Sequence, residues 1–156
     1  MQMRKQLSKS DIKKINQEIE SSYGVKDFFD KKANVELVKD EFEVVTLDKE
    51  PFFFYLEGKI IPTLKLLLKE NFMKKVTIDM GAVKFIASGA DLMRPGITEI
   101  EDGINEGNFI SVIDVEHKKP IAIGQAMMNS EEMRNAESGK VIKNIHYVGD
   151  KLWKLA

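Results

Sequence analysis

The residues with the clearest potential for binding chemistry lie at positions 79–96, which read DMGAVKFIASGADLMRPG and contain Gly81, Gly89 and Gly96. Glycine accepts positive φ and lets another backbone come close, so a short helix is expected to stop at Gly89. The loop 90–94 then lies between that stop and a Pro-Gly turn, and we predict that its backbone N–H groups have no partners in the chain. Such a loop, with the cation Arg94 beside it, can receive a phosphate or a nucleotide. The same spacing also fits glycines that only form turns in a small β domain.

Catalytic chemistry is poorly represented in this chain. It has no cysteine and two histidines: His117 lies at a Lys-rich hairpin tip, and His146 lies on a strand, where a structural role fits better than a general base. Neither belongs to a motif with a serine nucleophile. Asp79 and Asp91 can form a carboxylate pair, but metal-ligand spacing is absent, and so are phosphate-loop and dinucleotide fingerprints. The sequence therefore predicts a protein that is not an enzyme and needs no cofactor and no metal.

Length and composition indicate one or two small domains. The 156 residues are 43% hydrophobic and 31% charged, a globular balance that can form two modest cores. The absence of cysteine excludes disulfides and thiolate metal sites. The N-terminus lacks an apolar signal segment and the apolar runs are too short to span a bilayer. We therefore expect a cytoplasmic protein with no membrane partner.

The charge is nearly balanced, with a formal net charge of −1. Residues 1–75 hold 15 basic and 13 acidic side chains, and residues 76–156 hold 9 and 12, which gives +2 and −3. The basic surface that usually accompanies nucleic-acid binding is therefore missing, which argues against tight non-specific binding. A small site that reads one end or one loop of an RNA remains compatible with this charge.

The first half is expected to begin with an amphipathic helix over residues 8–22. Ser10 is the predicted N-cap and Gly24 the predicted stop. One apolar stripe is formed by Ile12, Ile15 and Ile19. The outward lysines, Lys13 and Lys14, fit a solvated face better than a basic patch.

Three strands and a second helix follow in the first half. The strand patterns cover residues 33–39, 42–47 and 51–57. The last contains Phe52–Tyr55 and is predicted to be buried on both faces, with display of aromatic side chains to a partner as the alternative. The second helix is expected to start at residues 61–63, with its proline in the first turn.

The second half contains mainly short strands separated by turn signals, a pattern typical of a small barrel. We place the domain boundary in the segment 71–75, which gives domains 1–73 and 74–156. Strands are predicted at residues 76–78, 108–116, 121–127, 140–148 and 152–154, with a short helix from Ser130, its predicted cap, to Arg134.

Several of these motifs, in this order, resemble the PUA domain, an RNA-binding module. The resembling stretches are residues 76–96, 109–112, 121–126, 139–141 and 144–147. The segment Ile61–Leu67, which reads IPTLKLL, resembles the pre-PUA region of a family of translation factors that includes the malignant T-cell-amplified-sequence protein and the N-terminal part of ligatin. With both halves matched, the chain is similar to a stand-alone, archaeal member of that family.

The resemblance implies an α+β fold: a small N-terminal α/β pre-PUA domain, followed by a PUA pseudo-barrel of about six short strands with two short helices. It also implies an RNA-binding protein that handles the tRNA 3′ end, or rRNA on the small ribosomal subunit, in translation initiation or recycling. Because eukaryotic relatives work with density-regulated protein, a translation-factor partner is implied as well.

The positions that match the RNA-contacting part of the family can be named one by one. They are Lys84, Ser88, Gly89, Ala90, Asp91, Met93, Arg94, Pro95 and Gly96, with His146 and Lys151 on the segment expected to close the same groove. Asp91 departs from a phosphate-binding pattern, although a carboxylate can accept a hydrogen bond from a base amine or a ribose 2′-OH.

Two other functions remain open from the sequence. One is a protein-interaction adaptor that uses the strand Phe52–Tyr55 or the acidic surface. The other is an RNA-binding accessory that acts in trans with a tRNA- or rRNA-modifying enzyme.

Overall fold

The computed structural model of the protein describes residues 2–155. These form two compact units, one of residues 2–66 together with Leu155 and one of Leu67–Lys154. The division predicted from sequence, between residues 73 and 74, lies slightly further along the chain and remains a prediction.

The first unit contains a five-stranded antiparallel sheet in which every strand pairs with its neighbour in sequence, in the order β1-β2-β3-β4-β5. The strands are β1 (Met3–Gln6), β2 (Val35–Lys39), β3 (Glu43–Leu47), β4 (Glu50–Leu56) and β5 (Lys59–Pro62). Helix α1 (Lys9–Tyr23) connects β1 to β2, and α2 (Leu64–Lys69) follows β5. The three predicted strands are β2, β3 and β4, while β1 and β5 were not predicted.

Helix α1 starts and ends with well-formed caps. The N-cap is Ser8 and not the predicted Ser10, because Ser8 and Asp11 form a capping box. The Asp11 N–H donates to Ser8 Oγ and the Ser8 N–H donates to the Asp11 carboxylate, both at 3.1 Å. At the other end Gly24 adopts φ 75° and terminates the helix, as predicted.

The aromatic strand β4 is buried on both faces, as predicted. Phe53 is 0% exposed and its neighbour Phe54, on the opposite face, is 4% exposed. Phe28 and Phe29 pack edge-on against the Phe53 ring, with centroids 5.0 and 5.8 Å away. Aromatic edge-to-face contacts therefore form the centre of this core.

The second helix does not begin at residues 61–63. Pro62 is instead the last residue of β5 and pairs with Phe53. Since β5 is an edge strand, a proline without an N–H is tolerated there. Helix α2 begins at Leu64, and Thr63 Oγ1 accepts a hydrogen bond from the Leu66 N–H at 3.2 Å.

The second unit contains a six-stranded sheet in the order β7-β11-β10-β9-β6-β8, with two α-helices. This matches the strand and helix content predicted for the pseudo-barrel. The strands are β6 (Lys75–Ile78), β7 (Leu92–Met93), β8 (Ile97–Ile100), β9 (Phe109–Asp114), β10 (Pro120–Ala126) and β11 (Lys140–Tyr147). The α-helices are α3 (Met80–Ile86) and α4 (Ser130–Asn135), and a 3-10 turn covers Arg94–Gly96. The β6–β9 pair is parallel and the other pairs are antiparallel.

Two local predictions for this unit are wrong. Residues 152–154 form a turn instead of a strand, because Asp150 Oδ1 accepts the Trp153 N–H at 2.8 Å. Asn129, not Ser130, caps α4. The Ser130 hydroxyl instead donates to the Glu101 carbonyl at 2.7 Å and accepts the Ile104 N–H at 2.9 Å, so it ties the loop between β8 and β9 to the start of α4.

Close packing in the sheet centre depends on Gly124 in β10. A Cβ at this position would lie 2.2 Å from Ile142 Cγ2 and 3.1 Å from the Lys143 carbonyl oxygen. The β10–β11 register shifts between Ile123 and Gly124. The absence of a side chain here therefore lets β11 approach β10.

Candidate nucleic-acid interface

A cleft of about 730 Å³ opens beside α3 in the second unit. Its walls come from α3, the segment that follows it, the 3-10 turn and the first residue of β11. The lining residues are Asp79, Gly81, Ala82, Phe85, Ile86, Gly89, Ala90, Asp91, Leu92, Met93, Pro95, Gly96 and Lys140.

Asp79 and Gly96 hold the start of α3 against the 3-10 turn. The Asp79 carboxylate accepts the Ala82 N–H at 2.9 Å and so caps the helix. The Asp79 N–H donates to the Gly96 carbonyl at 3.0 Å. A Cβ on Gly96 would lie 3.0 Å from the Ala82 Cβ, so glycine permits this close approach.

The turn after α3 requires glycine at position 89. Gly89 has φ 95°, and a Cβ there would lie 3.0 Å from Tyr147 Cε1. The Gly89 and Ala90 N–H groups donate to the Ile86 and Phe85 carbonyls at 3.0 and 3.1 Å. The predicted helix stop is therefore confirmed, and Tyr147 on β11 supports it from behind.

The expectation of free backbone donors across 90–94 is wrong at two positions. The Ala90 N–H bonds back to α3, and the Arg94 N–H donates to the Gly139 carbonyl at 2.9 Å. Leu92 and Met93 form β7, which pairs with β11. The segment is thus a short edge strand with partners far along the chain, which sequence spacing does not reveal.

Asp91 and Asn144 tie this segment to β11. Asp91 Oδ1 accepts the Asn144 N–H at 2.9 Å, and Asp91 Oδ2 lies 3.4 Å from Lys140 Nζ. The Asn144 amide donates to the Ile86 and Ala90 carbonyls at 3.1 and 3.0 Å. Asp91 therefore fixes the wall of the cleft, and Lys140 offsets its charge.

Arg94 has a different role from the phosphate-binding cation that the sequence suggested. Its Nε donates to the Met133 carbonyl at 2.6 Å and its Nη1 to the Ile97 carbonyl at 3.2 Å. Arg94 is half-buried and is not among the lining residues. Its guanidinium therefore braces the 3-10 turn against α4.

The structure brings six of the predicted site residues together around the cleft: Gly89, Ala90, Asp91, Met93, Pro95 and Gly96. Lys84 and Ser88 are exposed next to it. Lys84 Nζ lies 5.1 Å from the centre of the Phe85 ring, and the Ser88 hydroxyl donates to the Phe85 carbonyl at 2.8 Å.

His146 and Lys151 do not line the cleft. His146 is only 1% exposed, and its Nδ1 lies 2.8 Å from Asp150 Oδ2. Burial lowers the pKa of His146, and the hydrogen bond and charge of Asp150 offset this only in part. Lys151 is exposed in the turn that follows.

Seven of the thirteen lining residues were not among the predicted site residues, and two of these, Phe85 and Lys140, carry side chains suited to nucleic-acid contacts. Phe85 is 57% exposed although it is aromatic, so its residue type alone did not indicate a position at the surface. Lys140 stands in the Gly-Lys pair that opens β11, and its side chain is 60% exposed. An exposed ring can stack on a base, and a lysine can attract a phosphate.

Metal binding and membrane insertion find no support in residues 2–155. Across this range, no three acidic or histidine side chains come together in a way that could hold a metal ion. Within the same residues, no helix is long and apolar enough to cross a membrane.

Family models match both halves of the chain. Residues 74–148 match the PUA domain, and residues 3–70 match DUF1947, a domain of unknown function. An uncharacterized protein of Methanocaldococcus jannaschii is 49% identical over 98% of each chain.

Two named relatives from eukaryotes also match most of the chain. Translation machinery-associated protein 20 of Saccharomyces cerevisiae is 37% identical and covers 81% of this chain and 75% of its own length. Malignant T-cell-amplified sequence 1 of Rattus norvegicus is 32% identical, with 96% of this chain and 89% of the rat protein covered.

Solved structures agree with these matches along the whole chain. A hypothetical protein from Pyrococcus horikoshii OT3 superposes with a TM-score of 0.86 and 31% identity, covering 99% of this chain and all of that one. A PUA domain from Aeropyrum pernix K1, solved as a tartrate complex, gives a TM-score of 0.85 at 29% identity, with 99% and 91% covered.

Proposed function

Because the chain belongs to the PUA-domain family that includes Translation machinery-associated protein 20 and Malignant T-cell-amplified sequence 1, we propose that it is an RNA-binding translation factor. It binds the tRNA 3′ end, rRNA of the small ribosomal subunit, or both, during initiation or recycling. It acts in the cytoplasm and catalyses no reaction. Its functional domains are residues 1–73 and 74–156.

The cleft beside α3 is the observation that carries this proposal. Its volume of about 730 Å³ falls within the range of small-ligand sites, roughly 300–1,000 Å³, which suits one or two nucleotides of a strand end. Phe85 offers a ring for stacking at the wall, and Lys140 offers a cation at the edge. The glycine-rich turn leaves room for a backbone to approach.

Lys140 can exchange its partner at low cost. Its ion pair with Asp91 is 3.4 Å long, and the lysine side chain is 60% exposed; pairs at the surface contribute about 0–1 kcal/mol. A phosphate that approaches the cleft therefore competes with a weak interaction. Because residues 76–156 carry a net charge of −3, we expect the affinity for RNA to come from a few local contacts and not from the overall charge.

The test compares an intact tRNA with the same tRNA lacking its 3′-terminal CCA, by fluorescence anisotropy at two salt concentrations. We expect the truncated tRNA to bind at least tenfold more weakly, which corresponds to about 1.4 kcal/mol. Equal binding of both RNAs would remove the 3′-end assignment. Absence of binding at low salt would overturn the proposed function.

Variants locate the contact within the cleft. Phe85→Ala and Lys140→Gln are expected to weaken binding of intact tRNA and to leave binding of the truncated tRNA unchanged. Met127→Ala and Lys143→Gln are the matched controls, because both side chains are exposed and neither lines the cleft. An equal loss of tRNA affinity in the control variants would contradict the assignment of the cleft as the RNA-binding site.

Lys84 and Arg94 stay in the proposal with different expected outcomes. Lys84→Ala removes an exposed cation beside Phe85 and should weaken RNA binding slightly in a stable protein. Arg94→Ala removes two hydrogen bonds to backbone carbonyls and should also lower the stability. A fully stable Arg94→Ala protein with lost RNA affinity would instead make Arg94 a direct contact.

The alternative functions have their own signatures. An adaptor would have little exposed aromatic surface on this strand for a partner, since Phe53 and Phe54 are buried and Phe52 is half-buried. It would require salt-insensitive binding to a protein together with negligible RNA affinity. An accessory to a modifying enzyme would co-purify with a synthase or a transglycosylase.

A further inference from the structure

Helix α1 carries its charges in an arrangement that does not favour helix stability. Lys9 and Lys13 are like charges four residues apart, a spacing that destabilises an isolated helix. The last turn contains no basic residue, although cations there would favour the helix dipole. The acids Glu18 and Glu20 lie in the second half of the helix. Stability of α1 therefore does not explain why Lys9 and Lys13 lie at its start, whereas Lys14 lies four residues before the opposite charge of Glu18.

Four lysines lie within residues 5–14, and we call them the lysine cluster: Lys5 on β1, and Lys9, Lys13 and Lys14 on α1. All four are exposed. Within residues 2–155, none of their ammonium groups has a hydrogen bond or an ion pair shorter than 4 Å. The cluster is therefore exposed and positively charged, without a direct ion pair, in a chain whose net charge is −1.

The neighbouring charged residues are already engaged. Asp11 is the single acid in residues 2–14, and its carboxylate accepts the Ser8 N–H. Hydrogen bonds from Ser8, followed by the charges of Lys5 and Lys14, hold the pKa of Asp11 below its usual value, which places both lysines near it. Arg4 pairs with Glu36 at 3.2 Å. Asp11 is thus ionised beside Lys5 and Lys14, and the four lysines together with Asp11 keep a formal charge of +3 (four minus one).

We propose that the lysine cluster is a second RNA-contacting surface, which binds the phosphate backbone of a folded RNA independently of the cleft beside α3. Lysine acts as a hydrated point charge suited to phosphates, and backbone contacts of this kind carry no sequence preference. Apolar anchors, which protein interfaces require, are scarce here, since Met3 is the one large exposed hydrophobic residue in the segment 2–14. The proposal rests on the proposed function only in that the chain binds RNA.

The experiment measures how the binding of intact and CCA-truncated tRNA depends on salt. Each phosphate neutralised contributes roughly 0.9 to the slope of log K against log salt. The variant K5Q/K9Q/K13Q/K14Q is expected to lose at least tenfold in affinity at low salt for both RNAs, with a slope reduced by about 2 or more. The matched control is K26Q/K31Q/K32Q/K49Q, which changes the charge of exposed residues in the same unit by the same amount.

The outcomes separate this proposal from the proposed function. If the wild type binds RNA and the cluster variant binds with unchanged affinity and slope, the lysine cluster is not an RNA surface, while the cleft proposal stands. An equal loss in the control variant would likewise overturn it, because net charge alone would then explain the effect. If the wild type binds neither RNA, both proposals fail.

A folding control keeps the test decisive. Removal of the Lys9–Lys13 repulsion is expected to leave the melting temperature of the cluster variant unchanged or higher at low salt. If this variant melts lower, K5R/K9R/K13R/K14R replaces it as the comparison, since arginine keeps the charge. Retained RNA affinity in the arginine variant supports the proposal, and loss of affinity in that variant overturns it.

Discussion

The two sheets of the molecule differ in how far apart along the chain their paired strands lie. In the first unit each strand pairs with the next one in sequence. In the second, β6 pairs with β9 and β7 pairs with β11. The walls of the cleft depend on such distant partners, since Asp91 holds Asn144 across 53 positions. The candidate site therefore lies in the sheet whose paired strands are far apart in the sequence.

The two units also differ in what holds them together. The first relies on an aromatic cluster around Phe53, whereas the second combines an aliphatic core with polar side chains that fix backbone positions, such as Asp91, Asn144 and Asp150. We expect substitutions in the first core to change stability alone. Substitutions at the polar positions should change the shape or the charge of the cleft as well.

The largest effect is expected from Phe53→Ala, which removes a fully buried ring from the first core. Such a change typically costs about 3–5 kcal/mol of unfolding free energy, measurable by urea denaturation. Leu56→Ala on the same strand is the control, because Leu56 is exposed and should change stability by less than about 0.5 kcal/mol. A folded Phe53→Ala protein with a specific loss of RNA affinity would break the distinction between the units.

Gly124→Ala should have the next largest effect, in the centre of the second sheet. The new Cβ would overlap Ile142 Cγ2, and overpacking of this kind costs about 1–3 kcal/mol. Adding Ile142→Ala removes the overlapping atom, so the double variant should be less destabilised than the sum of the single changes. Additive effects would show that β10 and β11 are not held in contact by this glycine.

Histidine-dependent pH effects on stability should arise in the second unit, where both histidines are located. Because burial lowers the pKa of His146, the unfolded chain takes up a proton near pH 6.5 before the folded chain does. The unfolding free energy should therefore be highest above about pH 6.5 and fall as the pH drops towards the folded pKa. His146→Gln should reduce this slope, with His117→Gln as a control for the loss of a histidine. An unchanged slope in His146→Gln would assign the pH dependence to other groups.

The smallest effect concerns the charge at the cleft. Asp91→Asn keeps an oxygen that can accept the Asn144 N–H but removes the ion pair with Lys140. We expect stability to change by less than about 1 kcal/mol, while RNA binds several-fold more tightly at low salt. Glu106→Gln, at an exposed acid outside the cleft lining, makes the same charge change. An equal gain in both variants would show a general charge effect rather than a local one.

Sequence patterns predicted the central strands of both sheets but none of the four edge strands. The predicted strands correspond to β2, β3 and β4 in one sheet and to β6, β9, β10 and β11 in the other. The four missed strands, β1, β5, β7 and β8, are the edges of their sheets. β1 is exposed throughout and β7 has two residues, so neither shows apolar alternation, while Pro62 at the end of β5 favoured the start of a helix. In β8, the register shift in its pairing with β6 also disturbs the alternation.

The candidate site was predictable where it depends on local chain geometry. Gly89 and the Pro-Gly turn could be placed from residue type alone, because positive φ and proline restrict the backbone locally. The sequence could not show that Lys140 and Phe85 line the cleft, since this depends on how β11 and α3 meet in three dimensions. For the same reason Arg94 was predicted to contact a ligand, although its partners are carbonyls of residues 97 and 133.

The position of β11 has a consequence for how the protein is made. This strand is the last in the chain, yet it lies between β7 and β10 in the finished sheet. Domains generally fold as units in the order of their synthesis, and the first unit can complete its local pairings early. A nascent chain that ends before residue 140 would leave β7 without a partner and β10 with one open side. We therefore expect the cleft to form only after residues 140–147 have been synthesised, when Tyr147 comes to lie against Gly89.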